Sequence, residues 1–252
     1  MSFFKRFTES SNPMLKDEVY KNSTEVLDHE LVGSDQAMTI NGAVNKTLIL
    51  TGIMLVTATF SALFANMLFF WVGLIGGAIV YFIAARNPQR AGTLAPIYAA
   101  LEGLIVGTAS IIYASAFEGI IFHAVTLTIG VLLAMLFIYK TGIIKVTEKF
   151  RAGVSMAVGA VMILYLVNLV LYFFGINMPF LHEAGPIGIG ISLVIIGIAA
   201  MNLLLDFDNF EKGEQYQAPK YMEWYSAMGL LFTLVWIYLE ILHLIAMLQS
   251  SD

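Results

Sequence analysis

Glu102 and Glu240 are the residues of this chain whose positions most need a reason. Each lies inside an apolar stretch, Tyr98-Ala99-Ala100-Leu101-Glu102-Gly103 and Trp236-Ile237-Tyr238-Leu239-Glu240-Ile241. A carboxylate near the centre of a bilayer costs on the order of 3 kcal/mol on insertion scales, so it needs a partner, a proton or a water-filled cavity. Both are therefore expected to face the interior of a helix bundle. Asp206 and Asp208, in Leu203-Leu204-Leu205-Asp206-Phe207-Asp208, close another apolar stretch ahead of an acidic loop with Glu211 and Glu214. They read either as solvated residues at a helix end or as a functional pair, and the mild penalty on negative charge at a helix C-terminus argues for the second.

Basic and imidazole groups add two further candidates. Arg86 and Arg90 stand on the side where Asp206 and Asp208 emerge, as salt-bridge partners at a gate or simply as the positive charge that cytoplasmic loops retain. His243 follows Glu240 on nearly the same helix face, which permits a hydrogen bond, although a histidine at a helix end near the interface is the simpler reading. His123 and His182 have no ligand spacing that specifies a metal.

Other chemistries lack their residues. With no Cys there is no disulfide framework, zinc-thiolate site, iron-sulfur cluster or thiol nucleophile. There is no His-Glu-x-x-His pair, Gly-x-Ser-x-Gly elbow or Walker loop. The last apolar stretch has no lysine to carry a retinal Schiff base. Neither catalysis nor a bound cofactor is expected.

The elements that must position these acids follow from composition. Of 252 residues, 59% are hydrophobic and 12% charged, against about 25% charged in an ordinary soluble domain. That excludes a soluble globular enzyme, and disorder and nucleic-acid binding with it. Apolar blocks recur at about 47–67, 68–85, 94–115, 119–139, 153–176, 186–206 and 226–248, each near the roughly 20 residues needed to cross a hydrocarbon core. The expected organisation is a polar N-terminal tail over 1–46, a transmembrane domain over 47–248 and a short C-terminal tail over 249–252. The tail holds five basic and seven acidic residues, unlike a secretory signal, so the first apolar helix is expected to be retained. Asn66 marks a tight hairpin between the first two spans.

Seven alternating spans put all 13 Lys and Arg on one side: Lys5, Arg6, Lys16, Lys21 and Lys46, then Arg86 and Arg90, then Lys140, Lys145, Lys149 and Arg151, then Lys212 and Lys220. The positive-inside rule then places the N-terminus in the cytoplasm and the C-terminus outside, unless the last segment is re-entrant. Small residues mark close helix approach, foremost Ala99, Gly103 and Gly107 at four-residue spacing, then Gly73, Gly76 and Gly77, and Gly188 and Gly190.

Longer stretches carry a family likeness. Ser10-Ser11-Asn12-Pro13, Met38-Thr39-Ile40-Asn41-Gly42-Ala43-Val44-Asn45-Lys46-Thr47, Ala95-Pro96-Ile97-Tyr98-Ala99-Ala100-Leu101-Glu102-Gly103 and Ala218-Pro219-Lys220-Tyr221-Met222-Glu223-Trp224-Tyr225, leading into Leu234-Val235-Trp236-Ile237-Tyr238-Leu239-Glu240-Ile241-Leu242, resemble the Bax inhibitor-1 family, in particular its bacterial YccA-like members. The resemblance implies an all-α, polytopic seven-helix bundle with a short or partly buried last helix at its centre. It implies no catalysis, but a pH-dependent leak of cations, calcium foremost, across a bacterial inner membrane.

In the family, two aspartates on the last two helices share a proton. Asp208 resembles the first and Glu240 the second, with Glu in place of Asp and a longer intervening loop. At 1.5 Å per residue, Asp208 sits toward one end of its span and Glu240 past the middle of the next. Asp206 is therefore an alternative partner, as is a Glu102–Glu240 pair that leaves Asp206 and Asp208 to bind cations at the mouth. Carboxylates within a few ångströms in low dielectric do not both ionise cheaply, so protonation becomes a switch. Asp206, Asp208 and Glu240 with carbonyls and water would make a weak calcium site suited to conduction. The other reading is a membrane-embedded regulator that binds a membrane protease or other membrane proteins through its polar tail, its buried acids only joining helices.

Overall fold

A backbone inside hydrocarbon must satisfy its own polar groups, and a helix does so within one segment. The computed structural model describes residues 37–175 and 185–250. Lys5, Arg6, Lys16, Lys21, the Ser10–Pro13 stretch, His182 and Glu183 lie outside the described residues. Among the described residues, seven helices are long and apolar enough to cross a membrane: α1 Ile40–Phe64, α2 Met67–Arg86, α3 Ala91–Ala114, α4 Ile120–Thr141, α5 Glu148–Phe173, α6 Pro186–Gln215 and α7 Tyr221–Ser250. A short 3-10 turn, Pro88–Arg90, leads into α3.

The distribution of side chains is inverted relative to a water-soluble protein. Leu63, Phe122 and Val56 are more than two-thirds exposed, while Glu102, Asp206, Glu223 and Glu240 are buried. Apolar surface of that extent would aggregate in water but suits contact with lipid. The seven spans and this inversion make the chain a multi-pass membrane protein. The last helix is the most deeply set, with 67% of its most apolar stretch buried against 56% for the third span and 17–39% for the others. At 30 residues it is not short.

Helix boundaries differ from the apolar blocks where polar caps decide them. Between α1 and α2 the chain turns through Ala65 in the left-handed region, φ 42°, and the Asn66 side chain caps α2 by accepting from Leu68 N at 2.9 Å. That is the hairpin expected at Asn66. The α1 helix starts well before Thr47 because its first turn is capped. Thr39 Oγ1 accepts from Gly42 N at 2.9 Å, Thr39 N and Oγ1 both donate to Glu223 at 3.2 Å, and Ile40 N donates to Glu214 at 3.1 Å. Two carboxylates at the N–H end of a helix meet donors that have no intrahelical acceptor and complement the macrodipole. Met38 N donates to Ala218 O at 2.6 Å, and Lys46 stands 4.8 Å over the Trp224 ring. Gly42 lies so close to the Glu223 carboxylate that a β-carbon there would collide with it.

The described chain divides into two compact units, residues 113–175, 185–204 and 236–250 in one, and 37–112 with 205–235 in the other. In the second unit the glycine pattern of α3 does what its spacing predicts. A β-carbon on Gly107 would lie 2.8 Å from the Ala58 carbonyl carbon and 2.9 Å from its Cα, and one on Gly103 would strike Thr57 Oγ1 and Met54 O. Ser61 Oγ bonds Thr108 Oγ1 at 2.7 Å and donates to Leu104 O at 3.0 Å, fixing the same α1–α3 seam. On the other side, Gly73 admits α3 so closely that a β-carbon would meet Leu101 O at 2.6 Å. Gly190, by contrast, faces open space.

Gly107→Val should separate α1 from α3 and lower stability by about 1–3 kcal/mol, the usual range for overpacking. Gly130→Ala, with nothing within 4 Å of the new carbon, should not. Thermal unfolding in detergent measures both, and equal midpoints would show that the seam tolerates a side chain.

Candidate functional site

The first unit holds Glu240. Position 240 on α7 turns the carboxyl inward, 6% exposed, toward hydroxyls from two other helices. Tyr165 of α5 donates to Glu240 Oε2, and Ser192 of α6 donates to Glu240 Oε1 at 2.6 Å. Trp236, one turn earlier on α7, sets its indole beside the Tyr165 hydroxyl, and Tyr113 lies within electrostatic reach of Glu240. Both carboxylate oxygens thus have a donor, which a buried charge requires. A hydroxyl accepts as well as donates, so the same partners can serve a carboxylic acid by rotating. His243 is half-buried one turn on.

The second unit holds the other nominated acids. Glu102 on α3 is buried and lies beside Tyr98, one turn before it on the same face. Tyr98 packs on Tyr81 of α2 with ring centroids 5.9 Å apart, and Tyr81 packs on Phe232 at 5.4 Å. Tyr81 is also within electrostatic reach of Asp206 and Tyr225.

Asp206 and Asp208 do not stand before a loop. The α6 helix runs on to Gln215 and includes Glu211 and Glu214, because a helix that has crossed the apolar core continues in polar surroundings with side-chain support. One such support is Lys212 Nζ, 3.3 Å from Asp208 Oδ2. Two positions apart on a helix point to different sides, and here Asp206 is fully buried while Asp208 is partly exposed. The cation beside Asp208 is Lys212 rather than Arg86 or Arg90, both of which are exposed. Among the described residues those arginines form no ion pair. Within the described residues no group of three or more His, Cys, Asp or Glu is placed to hold a metal. Glu240 belongs to one unit, and Glu102, Asp206 and Asp208 to the other.

Sequence reasoning missed Tyr165, Ser192 and Glu223. Lone hydroxyls in apolar helices are too common to signal a role. Glu223, 2% exposed, sat in a polar stretch that gave no hint of burial. His123 keeps a local role, its Nδ1 2.9 Å from Gly119 O.

Replacing Glu240 by Ala leaves the Tyr165 and Ser192 hydroxyls without their acceptor. Interhelical hydrogen bonds in membrane proteins are worth about 0.6 kcal/mol on average and up to about 1.7, so Glu240→Ala should lose roughly 1–2 kcal/mol, while Glu240→Gln, which keeps an acceptor and the shape, should lose less. Unfolding in detergent distinguishes them, and equal losses would remove the hydrogen bonds from the account.

Neither a curated protein nor a solved structure matches the chain. The sequence model of one protein family, described as Bax inhibitor 1 like, matches residues 7–250, nearly the whole length. This membrane-spanning chain, with its buried acids on the third, sixth and seventh helices, belongs to the Bax inhibitor 1 like family.

Proposed function

We propose that the protein is a proton-sensitive cation leak of a bacterial inner membrane, with calcium as its cargo and intramembrane carboxylates as its gate. The observation that carries this reading is Glu240, a buried carboxyl in the most deeply set helix, held by hydroxyls of two other helices. Ionisable groups inside a membrane are expensive and mark ion or proton pathways more often than they serve packing. Glu240 is the proton-responsive group in this reading, and Asp206 and Glu102 are the further acids of the pathway. Asp208, tied to Lys212 at a partly exposed position, contributes little, as exposed ion pairs do. No resident metal and no cofactor is required. The charge distribution supports a cytoplasmic N-terminus and an external C-terminus.

Calcium entry into proteoliposomes between pH 6 and pH 8 tests the proposal. Wild type should leak calcium in a pH-dependent way, Glu240→Gln and Asp206→Asn should flatten that dependence, and Asp208→Asn should retain it. Entry no greater than into empty liposomes would overturn the leak and favour the regulator that binds a membrane protease, for which deletion of residues 1–35 should abolish partner binding.

A further inference from the structure

Between α5 and α6 runs a groove of about 470 Å³. Ala157, Ala160 and Leu164 line it from α5, and Pro186, Gly190 and Ile198 from α6, and every residue in its wall is Ala, Gly, Pro, Val, Leu or Ile. Close helix approach does not account for Gly190, since a β-carbon there would find nothing within 4 Å. Gly103 and Gly107, by contrast, are explained by the α1 backbone lying against them.

The dimensions of the groove select its occupant. It begins at Pro186, the first residue of α6, and reaches Ile198. At 1.5 Å per residue that is about 18 Å, close to the roughly 15 Å that one leaflet contributes to the hydrocarbon core. A helix of a second copy is too wide for it, because a helix with its side chains is about 10–12 Å across and even a 10 Å length takes up roughly 1,000 Å³. The wall also offers no hydroxyl or carboxamide to secure a neighbouring helix, as polar side chains often do between membrane helices. An acyl chain needs neither width nor hydrogen bonds. The groove is moreover continuous with the lipid-facing surface, where Ile187 is 70% and Val194 62% exposed.

The same turns of α5 and α6 hold Glu240. Leu164 and Ile191 line the groove, and the residues that follow them, Tyr165 and Ser192, donate to the two oxygens of Glu240.

We infer that the α5–α6 groove is a binding site for one acyl chain of a membrane phospholipid, seated on the lipid-facing side of the seam that holds Glu240. The functional weight of that position rests on the reading of Glu240 as proton-responsive; the existence of the site does not.

The test uses the full chain in phosphatidylcholine vesicles with a small fraction of phosphatidylcholine carrying a diazirine on one acyl chain. After illumination, mass spectrometry should find several-fold more label at Ala160, Leu164 and Val194 than at Leu133 and Phe137 of α4, which are also open to lipid. Gly190→Leu puts a side chain into the groove and should abolish that excess, whereas Gly130→Leu, equally without neighbours within 4 Å, should leave it intact. Leucine favours a helix over glycine, so Gly190→Leu should unfold no earlier than wild type; should it fail to fold, Ala160→Leu at an exposed position fills the groove from the other wall. Equal labelling of the groove and α4 in wild type would reveal ordinary bilayer contact only and overturn the inference, as would an excess that survives filling. The chain has no Cys, so Gly190→Cys supplies a single thiol, and its oxidation to a disulfide-linked dimer in the vesicles would assign the groove to a second copy instead. Because the readout is lipid contact, a protein that carries no calcium still gives a decisive answer.

Discussion

The structure depends on how an acid is kept inside hydrocarbon. Glu240 sits in the helix most removed from lipid, and both its oxygens are met by hydroxyls from two other helices. Without donors, a buried carboxylate would pull water in or force the helix out; with them it holds three helices to one point. Because the donors are hydroxyls and not cations, the site is not committed to a permanent negative charge. An Arg or Lys partner would have locked it. The choice of Tyr and Ser as partners is thus what makes a proton-responsive role physically reasonable.

Glu223 shows the same residue type doing different work. It is buried and accepts two bonds from Thr39, with Glu214 accepting a third from Ile40. Those donors are fixed at the positive end of a helix, which a carboxylate complements. Glu223 therefore positions α1, and its distance in sequence from Thr39, 184 residues, makes it a long-range closure of the second unit. Glycines set the remaining geometry. Gly42 lets Glu223 approach, and Gly103 and Gly107 let α1 lie on α3.

How legible this was in the sequence varies with the range of the interaction. Apolar blocks of crossing length located all seven spans, and Asn66 located the hairpin, because both signals are local. The Gly103–Gly107 spacing announced a packing face since small residues have few other uses there. Charge counting ended α6 too early at Asp206 and Asp208, as it registers departure from the hydrocarbon and not the end of a helix. It began α1 too late for the complementary reason, since Thr39 caps it with help from carboxylates far along the chain. The buried state of Glu102 and Glu240 followed from their apolar surroundings, whereas that of Asp206, which read equally as a solvated helix-end residue, did not. Their partners did not, because Tyr165 and Ser192 are ordinary residues that only tertiary structure brings to Glu240. The division of the acids between two units was equally beyond reach, since residue spacing along α6 and α7 does not say which neighbours each turn meets.

In the proposed leak, Glu240 is the proton-responsive group. A hydrophobic carbodiimide enters from lipid and modifies carboxyl groups in their protonated form. Labelling of the reconstituted protein across a pH series, with modified residues mapped by mass spectrometry, tests the claim most directly. The account predicts labelling at Glu240 that declines as pH rises and little at Asp208, which faces Lys212. Labelling of Asp208 with Glu240 unmodified at every pH would contradict it.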